Sequence, residues 1–229
     1  MSIFESGQAK KSGSRIGVLD LQGDVFEHLD HLERIGIEPQ AIKRVEELDN
    51  LAGLIIPGGE STCLSRLMGT FGIDQAIVNR SREGMKLWGT CAGAILLAGT
   101  IRGEAPHLGL IDMEIERNGF GSQLDSFACE AFVPKVSPLP MPLTFIRAPK
   151  IKGVGTGVEI LLKMDDFIAA AESSDVLVTV FHPELTPSLD FHRYFARKCG
   201  LNPRGNSGEP AGLPPVWVRT SWMRCARIV

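Results

Sequence analysis

Three short segments, far apart along the chain, carry side chains capable of nucleophilic chemistry. The first is Gly89-Thr90-Cys91-Ala92-Gly93, a thiol set among small residues. An apolar run at 86–88 precedes it and a helical pattern at 94–98 follows, so Cys91 falls on a strand-to-helix turn. Such a turn holds a nucleophile in strained geometry, and small neighbours keep it free of clashes. The helix that follows favours a thiolate, and nearby backbone N–H groups can receive a developing oxyanion. Taken alone, the segment also fits a buried structural cysteine between packing glycines. The second segment, His182-Pro183-Glu184, supplies a base and a carboxylate to orient it, stiffened by the proline between them. It closes a β-branched run at 176–181, which places it at the carboxyl edge of a strand, where sites of open α/β sheets lie. The third, Pro57-Gly58-Gly59-Glu60-Ser61, follows the apolar run at 54–56. Its glycines permit close backbone approach to a ligand, while Glu60-Ser61 also suits plain capping of a helix.

The elements between these segments must bring them together. Short apolar runs at 16–21, 38–42, 54–56 and 86–88 alternate with helical patterns at 25–35, 61–68, 75–82 and 94–98. That alternation predicts βαβ units and a parallel sheet. The second half changes to short β-like runs at 113–116, 128–133, 143–146, 158–162 and 167–170. The strand at 176–181 and a helix at 188–199 close the domain. The expected fold is α/β, a single domain with an open, mostly parallel sheet flanked by helices. Residues 1–14 read as a polar, disordered leader, 15–200 as the domain, and 201–229 as a Pro/Trp/Arg tail, flexible or foreign to the domain.

Composition narrows the function classes. The 229 residues include 24 Lys+Arg against 27 Asp+Glu, a net charge of -3, so there is no basic excess to bind nucleic acid. The longest apolar candidate, 92–101, is broken by Gly93 and Gly99, far from the roughly 18–20 residues of a membrane helix. The leader has no apolar h-region, and the five cysteines are odd in number and scattered. A cytoplasmic protein without a disulfide framework, and without metal or organic cofactor, is expected.

The cysteine elbow, His-Pro-Glu and Pro-Gly-Gly-Glu-Ser together resemble the class I, triad-type glutamine amidotransferases. Further blocks are similar to the glutaminase subunits of pyridoxal 5'-phosphate synthases. These are Leu21-Gln22-Gly23-Asp24, Glu116-Arg117-Asn118-Gly119-Phe120-Gly121-Ser122-Gln123-Leu124-Asp125-Ser126-Phe127, and Phe145-Ile146-Arg147-Ala148-Pro149. The resemblance spans about Arg15 to Gly200. It implies a flavodoxin-like three-layer fold in which Cys91 is the nucleophile, His182 the general base and acid, and Glu184 its orienting partner. Gly58, Gly59, Glu60, Arg117, Ile146 and Arg147 would bind L-glutamine, with Gly59 and Ala92 forming the oxyanion hole. Arginines suit the substrate carboxylate because the guanidinium binds it with two prongs. The implied partner is a (β/α)8-barrel synthase subunit in a large hetero-oligomer. It would receive ammonia directly and control glutaminase activity. The alternatives are a glutaminase serving another acceptor and a non-catalytic module of the same fold.

Other side chains carry weaker expectations. Glu27, His28 and His31 lie within one helical turn and suggest an exposed or partner-facing surface rather than a metal cluster. His107 and His192 have no neighbours in sequence that would make a site. Cys63, Cys129 and Cys199 read as packing thiols, and Phe120, Phe127 and Phe132 as core. Asp20 adds a charge near the site edge with no assignable role.

Overall fold

The computed structural model describes residues 14–117, 126–207 and the short strand Arg227–Ile228. Its centre is a sheet in which β1 (Arg15–Leu19), β2 (Pro39–Ile42), β3 (Leu51–Ile56), β4 (Lys86–Thr90) and β12 (Val176–Thr179) run parallel in the order β2-β1-β3-β4-β12. β3 is buried at every position, as a strand covered on both faces must be. Beyond β12 the sheet continues through β11 (Ile168–Glu172), β9 (Lys150–Val154), β6 (Ile111–Glu116) and β5 (Ala98–Ile101). The pairings β12–β11, β11–β9 and β9–β6 are antiparallel, and β10 (Glu159–Lys163) pairs with β11. A second, smaller sheet joins β7 (Ser126–Ala131) and β8 (Met141–Ile146), with Arg227–Ile228 paired to β7.

The helices are α1 (Val25–Arg34), α2 (Ser61–Phe71), α3 (Ile73–Arg82), α4 (Ala92–Leu97) and α5 (Asp190–Lys198). α1 joins β1 to β2, whereas α2 and α3 join β3 to β4 on the other side of β1. Right-handed crossovers in opposite directions put these helices on opposite faces of the sheet. α5 lies with α1, since His192 of α5 meets His28 of α1. The strand order reverses between β1 and β3, and at such a switch point the carboxyl ends of the strands open a crevice.

The expected open, mostly parallel sheet is present, with several elements shifted. The strand expected at 16–21 ends at Leu19, and the one at 176–181 ends at Thr179, so Phe181 and His182 belong to the following turn. The apolar run 92–101 divides into α4 and β5 with no residue between them. β9 falls in a stretch where no strand was expected. Among the weaker readings, Phe132 is exposed instead of core, because β7 ends at Ala131 and releases it. Cys63 is exposed in the first turn of α2, while Cys199 is buried as expected. Phe127 stacks on Phe145 at 4.4 Å, and Phe120 lies outside the described residues. Asp20 forms an exposed ion pair with Lys43 at 3.1 Å. Among the described residues no helix is long and apolar enough to cross a membrane.

Candidate active site

Four parallel strands end at one crevice. β1 leads to Gln22 and Asp24, β3 to Gly58 and Gly59, β4 to Cys91, and β12 to His182 and Glu184. β4 and β12 are neighbours in register, Thr90 opposite Thr179, and the Cys91 N–H donates to the Thr179 carbonyl at 2.8 Å. Two turns distant from each other in the chain are thereby fixed by one backbone hydrogen bond.

Cys91 sits at φ 46°, ψ -102°, a left-handed backbone that a side-chain-bearing residue adopts only under constraint. The flanking glycines create that constraint. A Cβ on Gly93 would lie 2.0 Å from the Ile56 carbonyl oxygen, and one on Gly89 would lie 2.5 Å from the Gly93 backbone. α4 therefore packs backbone to backbone on β3 and β4, and the turn projects the thiol. The Sγ is buried, 3.9 Å from the Ile146 carbonyl oxygen to which it can donate.

His182 follows β12 in a 3-10 turn, its own N–H held by the Thr144 carbonyl at 2.8 Å. Its Nδ1 faces Glu184 Oε1 at 2.7 Å and Asp24 Oδ2 at 3.2 Å, and Cys91 lies close enough to act on the ring electrostatically. With Nδ1 turned to the carboxylates, Nε2 is the nitrogen left for the thiol. Burial opposes charge on this imidazole. Cys91, Glu184 and Asp24 outweigh it and hold the imidazolium well above the usual histidine range. Glu184 is fully buried, and that desolvation lifts its carboxyl above the usual range although His182 pulls the other way. Asp24 moves down: its burial is outweighed by the hydrogen bond and charge of His182. Thiol, imidazole and carboxylate in this line can generate a thiolate, protonate a leaving group and then activate water.

Gly58 backs directly onto the imidazole, since a Cβ there would come 2.5 Å from His182 Cε1. Glu60 caps α2, accepting from the Thr62 and Cys63 N–H groups at 3.1 and 2.6 Å. Arg117 reaches the same place, its guanidinium donating to Glu60 at 3.3 Å, Thr62 at 3.0 Å and Glu104 at 3.0 Å. Arg147 is exposed at φ 43°, directly after the Ile146 whose carbonyl meets Cys91. Residues 118–125 of the block that follows Arg117 lie outside the described residues.

Two residues of the Leu21-Gln22-Gly23-Asp24 block, to which the sequence assigns no individual role, also reach the site. Asp24 is the second carboxylate on His182, and the signal for it was its place just past the carboxyl end of β1. Gln22 accepts from the Glu60 N–H at 2.9 Å and ties the β1 and β3 turns together. The reading of His28 and His31 as a surface is also corrected: both are fully buried, and His192 lies between them. His28 falls on the same helical face as Val25 and Leu32, which turns it into the core. His107 does have a neighbour, Ser65 Oγ at 2.8 Å from its Nδ1.

Comparison with known proteins decides the family. The model of the SNO glutamine amidotransferase family matches residues 18–201. The chain belongs to that family. A relative from Syntrophus aciditrophicus, named pyridoxal 5'-phosphate synthase subunit PdxT, is 59% identical over 211 residues, 92% of this chain and 94% of its own. That likeness runs beyond the family match into the flanking sequence. A PdxT protein from Ruminiclostridium cellulolyticum is 50% identical, covering 80% of this chain and 97% of its own. A crystal structure of a glutamine amidotransferase superposes with a TM-score of 0.77 at 42% identity, over 81% of this chain and 99% of that one. A Thermoplasma acidophilum protein described as a GMP synthase component shares the fold at a TM-score of 0.59 and 19% identity, over 81% of this chain and 94% of that one. The SNO glutamine amidotransferase fold and a glutaminase activity are thus those of this chain.

Proposed function

We propose that the chain is the glutaminase subunit of a pyridoxal 5'-phosphate synthase and that Cys91, His182 and Glu184 carry its reaction. The observation that supports this most is the meeting of the thiol, imidazole and carboxylate at adjoining strand ends in a chain with PdxT relatives. The Cys91 thiolate attacks the side-chain carboxamide carbon of L-glutamine. The N–H groups of Gly59 and Ala92 receive the oxyanion of the tetrahedral adduct. His182 gives its proton to the departing nitrogen, and ammonia leaves behind a glutamyl thioester. Water, losing a proton to His182, hydrolyses the thioester to glutamate and restores the thiol. Glu184, and Asp24 beside it, keep the ring oriented and favour its charged form. Gly58, Glu60, Arg117, Ile146 and Arg147 line the glutamine pocket. Arg117 exchanges part of its contact with Glu60 and Glu104 for the substrate carboxylate.

Ammonia released into water is protonated and lost as a nucleophile, so it passes directly to a partner. The partner is a (β/α)8-barrel synthase subunit that binds several copies of this chain in the cytoplasm and switches the glutaminase on. Glutamate release is measured with and without that barrel protein, for the parent chain and for Cys91→Ala. Activity that requires the barrel protein and vanishes in Cys91→Ala is expected. Undiminished release by Cys91→Ala refutes the mechanism, and a glutamine-mimicking electrophile that labels another cysteine refutes the assignment of the nucleophile.

A further inference from the structure

Behind Glu184 stand three histidines that this reaction does not use. His28 and His31 come from α1 and His192 from α5, and all three are fully buried. His28 Nε2 lies 3.5 Å from Glu184 Oε2 and 3.4 Å from Thr90 Oγ1. His28 Nδ1 is 2.9 Å from His192 Nε2, and His192 Nδ1 is 3.2 Å from His31 Nδ1. The indole of Trp88 covers the assembly, edge-on to His28 and His192 at 5.5 and 4.9 Å between centroids. His192 spends opposite ring nitrogens on its two neighbours, so the rings form a chain rather than a cage around one point.

Proton accounting gives this chain a direction. A neutral imidazole has one N–H and one bare nitrogen. Pointed toward the site, His31 Nδ1–H donates to His192 Nδ1, His192 Nε2–H to His28 Nδ1, and His28 Nε2–H to Glu184 Oε2. What remains is one bare nitrogen, His31 Nε2, which is buried with no hydrogen-bond partner; Glu184 Oε2 is likewise buried without one, and His28 Nε2 faces it at an ion-pair distance of 3.5 Å. Pointed the other way, the bare His28 Nε2 can accept from the Thr90 hydroxyl, but Oε2 then faces a nitrogen with no proton to offer, and His31 carries an unpaired N–H. An ionised oxygen without a donor in the interior is far more costly than an unpaired imidazole lone pair. The charge on Glu184 therefore selects the first arrangement.

We propose that His31, His192 and His28 form a one-way relay of neutral imidazoles whose last N–H anchors Glu184 Oε2, making His28 a positioning residue for the His182–Glu184 pair. In this arrangement Oε1 is held by His182 at 2.7 Å and Oε2 is restrained from the other side by the His28 N–H at 3.5 Å, so turning of the carboxylate plane is opposed from two elements. Burial agrees with neutral rings: desolvation brings His28 and His31 down to about 3, and His192 well below its usual value. The charged groups facing the rings are Asp24, His182 and Glu184 on the site side and Arg34 at the far end. Arg34 reinforces neutrality.

The proposal rests on His182 and Glu184 serving Cys91, and its test is separable from that reading. Full-length protein carrying 15N-histidine is examined by NMR at pH 7 and pH 6. Protonation at Nε2 of His28 and His192 and at Nδ1 of His31 is expected at both. His28 protonated at Nδ1, or any of the three rings charged at pH 6, overturns the relay. Loss of one hydrogen bond to a charged group corresponds to about tenfold or more in rate. With the synthase subunit present, His28→Leu is expected to lower kcat by about that factor with KM little changed. His28→Gln, which returns an N–H near the Nε2 position, recovers most of it. Full kcat in a folded His28→Leu protein, or no recovery in His28→Gln, removes the positioning role. Activity surviving in Cys91→Ala would instead defeat the reaction while leaving the tautomer result standing.

Discussion

Mild acid should destabilise this protein, through the same three rings. In the unfolded chain each histidine takes up a proton as pH falls through about 6.5. In the folded chain His28 and His31 stay neutral down to about 3, and His192 also resists protonation. A group with a depressed folded pKa supports stability above its unfolded value, and that support is lost as pH falls below it. His182 works in the opposite sense: its raised pKa contributes stability that is complete below about 6.5 and fades as pH rises through the folded value. Between pH 7.5 and 5.5 His28 and His31 together cost about 3 kcal/mol, a loss that His192 enlarges and His182 partly offsets. Typical domains have only about 5–15 kcal/mol in total, so the change is large. Urea unfolding at pH 7.5, 6.5 and 5.5, followed by tryptophan fluorescence, measures it, with Trp88 packed against the cluster. Replacing the far end of the chain, His31→Leu, removes one withheld proton and should cut the acid loss to about half. Stability that stays level from pH 7.5 to 5.5, or an unchanged slope in His31→Leu, would show that the buried rings take up protons in the native state.

Three other perturbations have defined outcomes. Glu184→Gln should reduce glutamine turnover while Cys91 remains open to alkylation; an unfolded product would assign Glu184 a structural role instead. Gly93→Ala drives a methyl to 2.0 Å from the Ile56 oxygen and should cost about 1–3 kcal/mol and slow Cys91 alkylation, read by Tm and by iodoacetamide kinetics. Glu172 is buried and accepts from Tyr194 at 2.6 Å and Lys198 at 2.8 Å, with Lys135 at 2.6 Å, so Glu172→Gln should lose about 2 kcal/mol in urea unfolding with glutamine turnover unchanged.

The parallel half of the fold was readable because its strands are short apolar runs cut off by turn residues, as at Ile56-Pro57-Gly58 and Thr90-Cys91. β5 was hidden for the opposite reason: Ala98 follows Leu97 of α4 with no turn between them, and both elements are apolar. Only the pairing of Ala98–Ile101 with β6 makes that segment a strand. β9 has a single fully buried residue, Ile151, between two lysines, too weak an alternation to mark a strand. At the site, His182 and Glu184 were legible because Pro183 stands between them, and Cys91 because it sits among small residues where an apolar run gives way to a helical pattern. Asp24 was not, since the proximity of two turns depends on β1 and β3 being neighbours. The histidine chain was obscured by treating His28 as polar, although its spacing from Val25 and Leu32 is that of a core position. His192 belongs to a helix 164 positions away from His28, and no local pattern links them.

The single peptide contact from Cys91 to Thr179 also restricts where the proposed catalytic pair could be controlled. Sulfur and imidazole ride on adjacent, laced strands and cannot be drawn apart without tearing the middle of the sheet. Any on–off device has to leave them in place and reshape the perimeter: the glycine corner after β3, or the bend at Ile146–Arg147 that offers its carbonyl to the thiol. A docking protein would need to displace only those few residues, without deforming the framework.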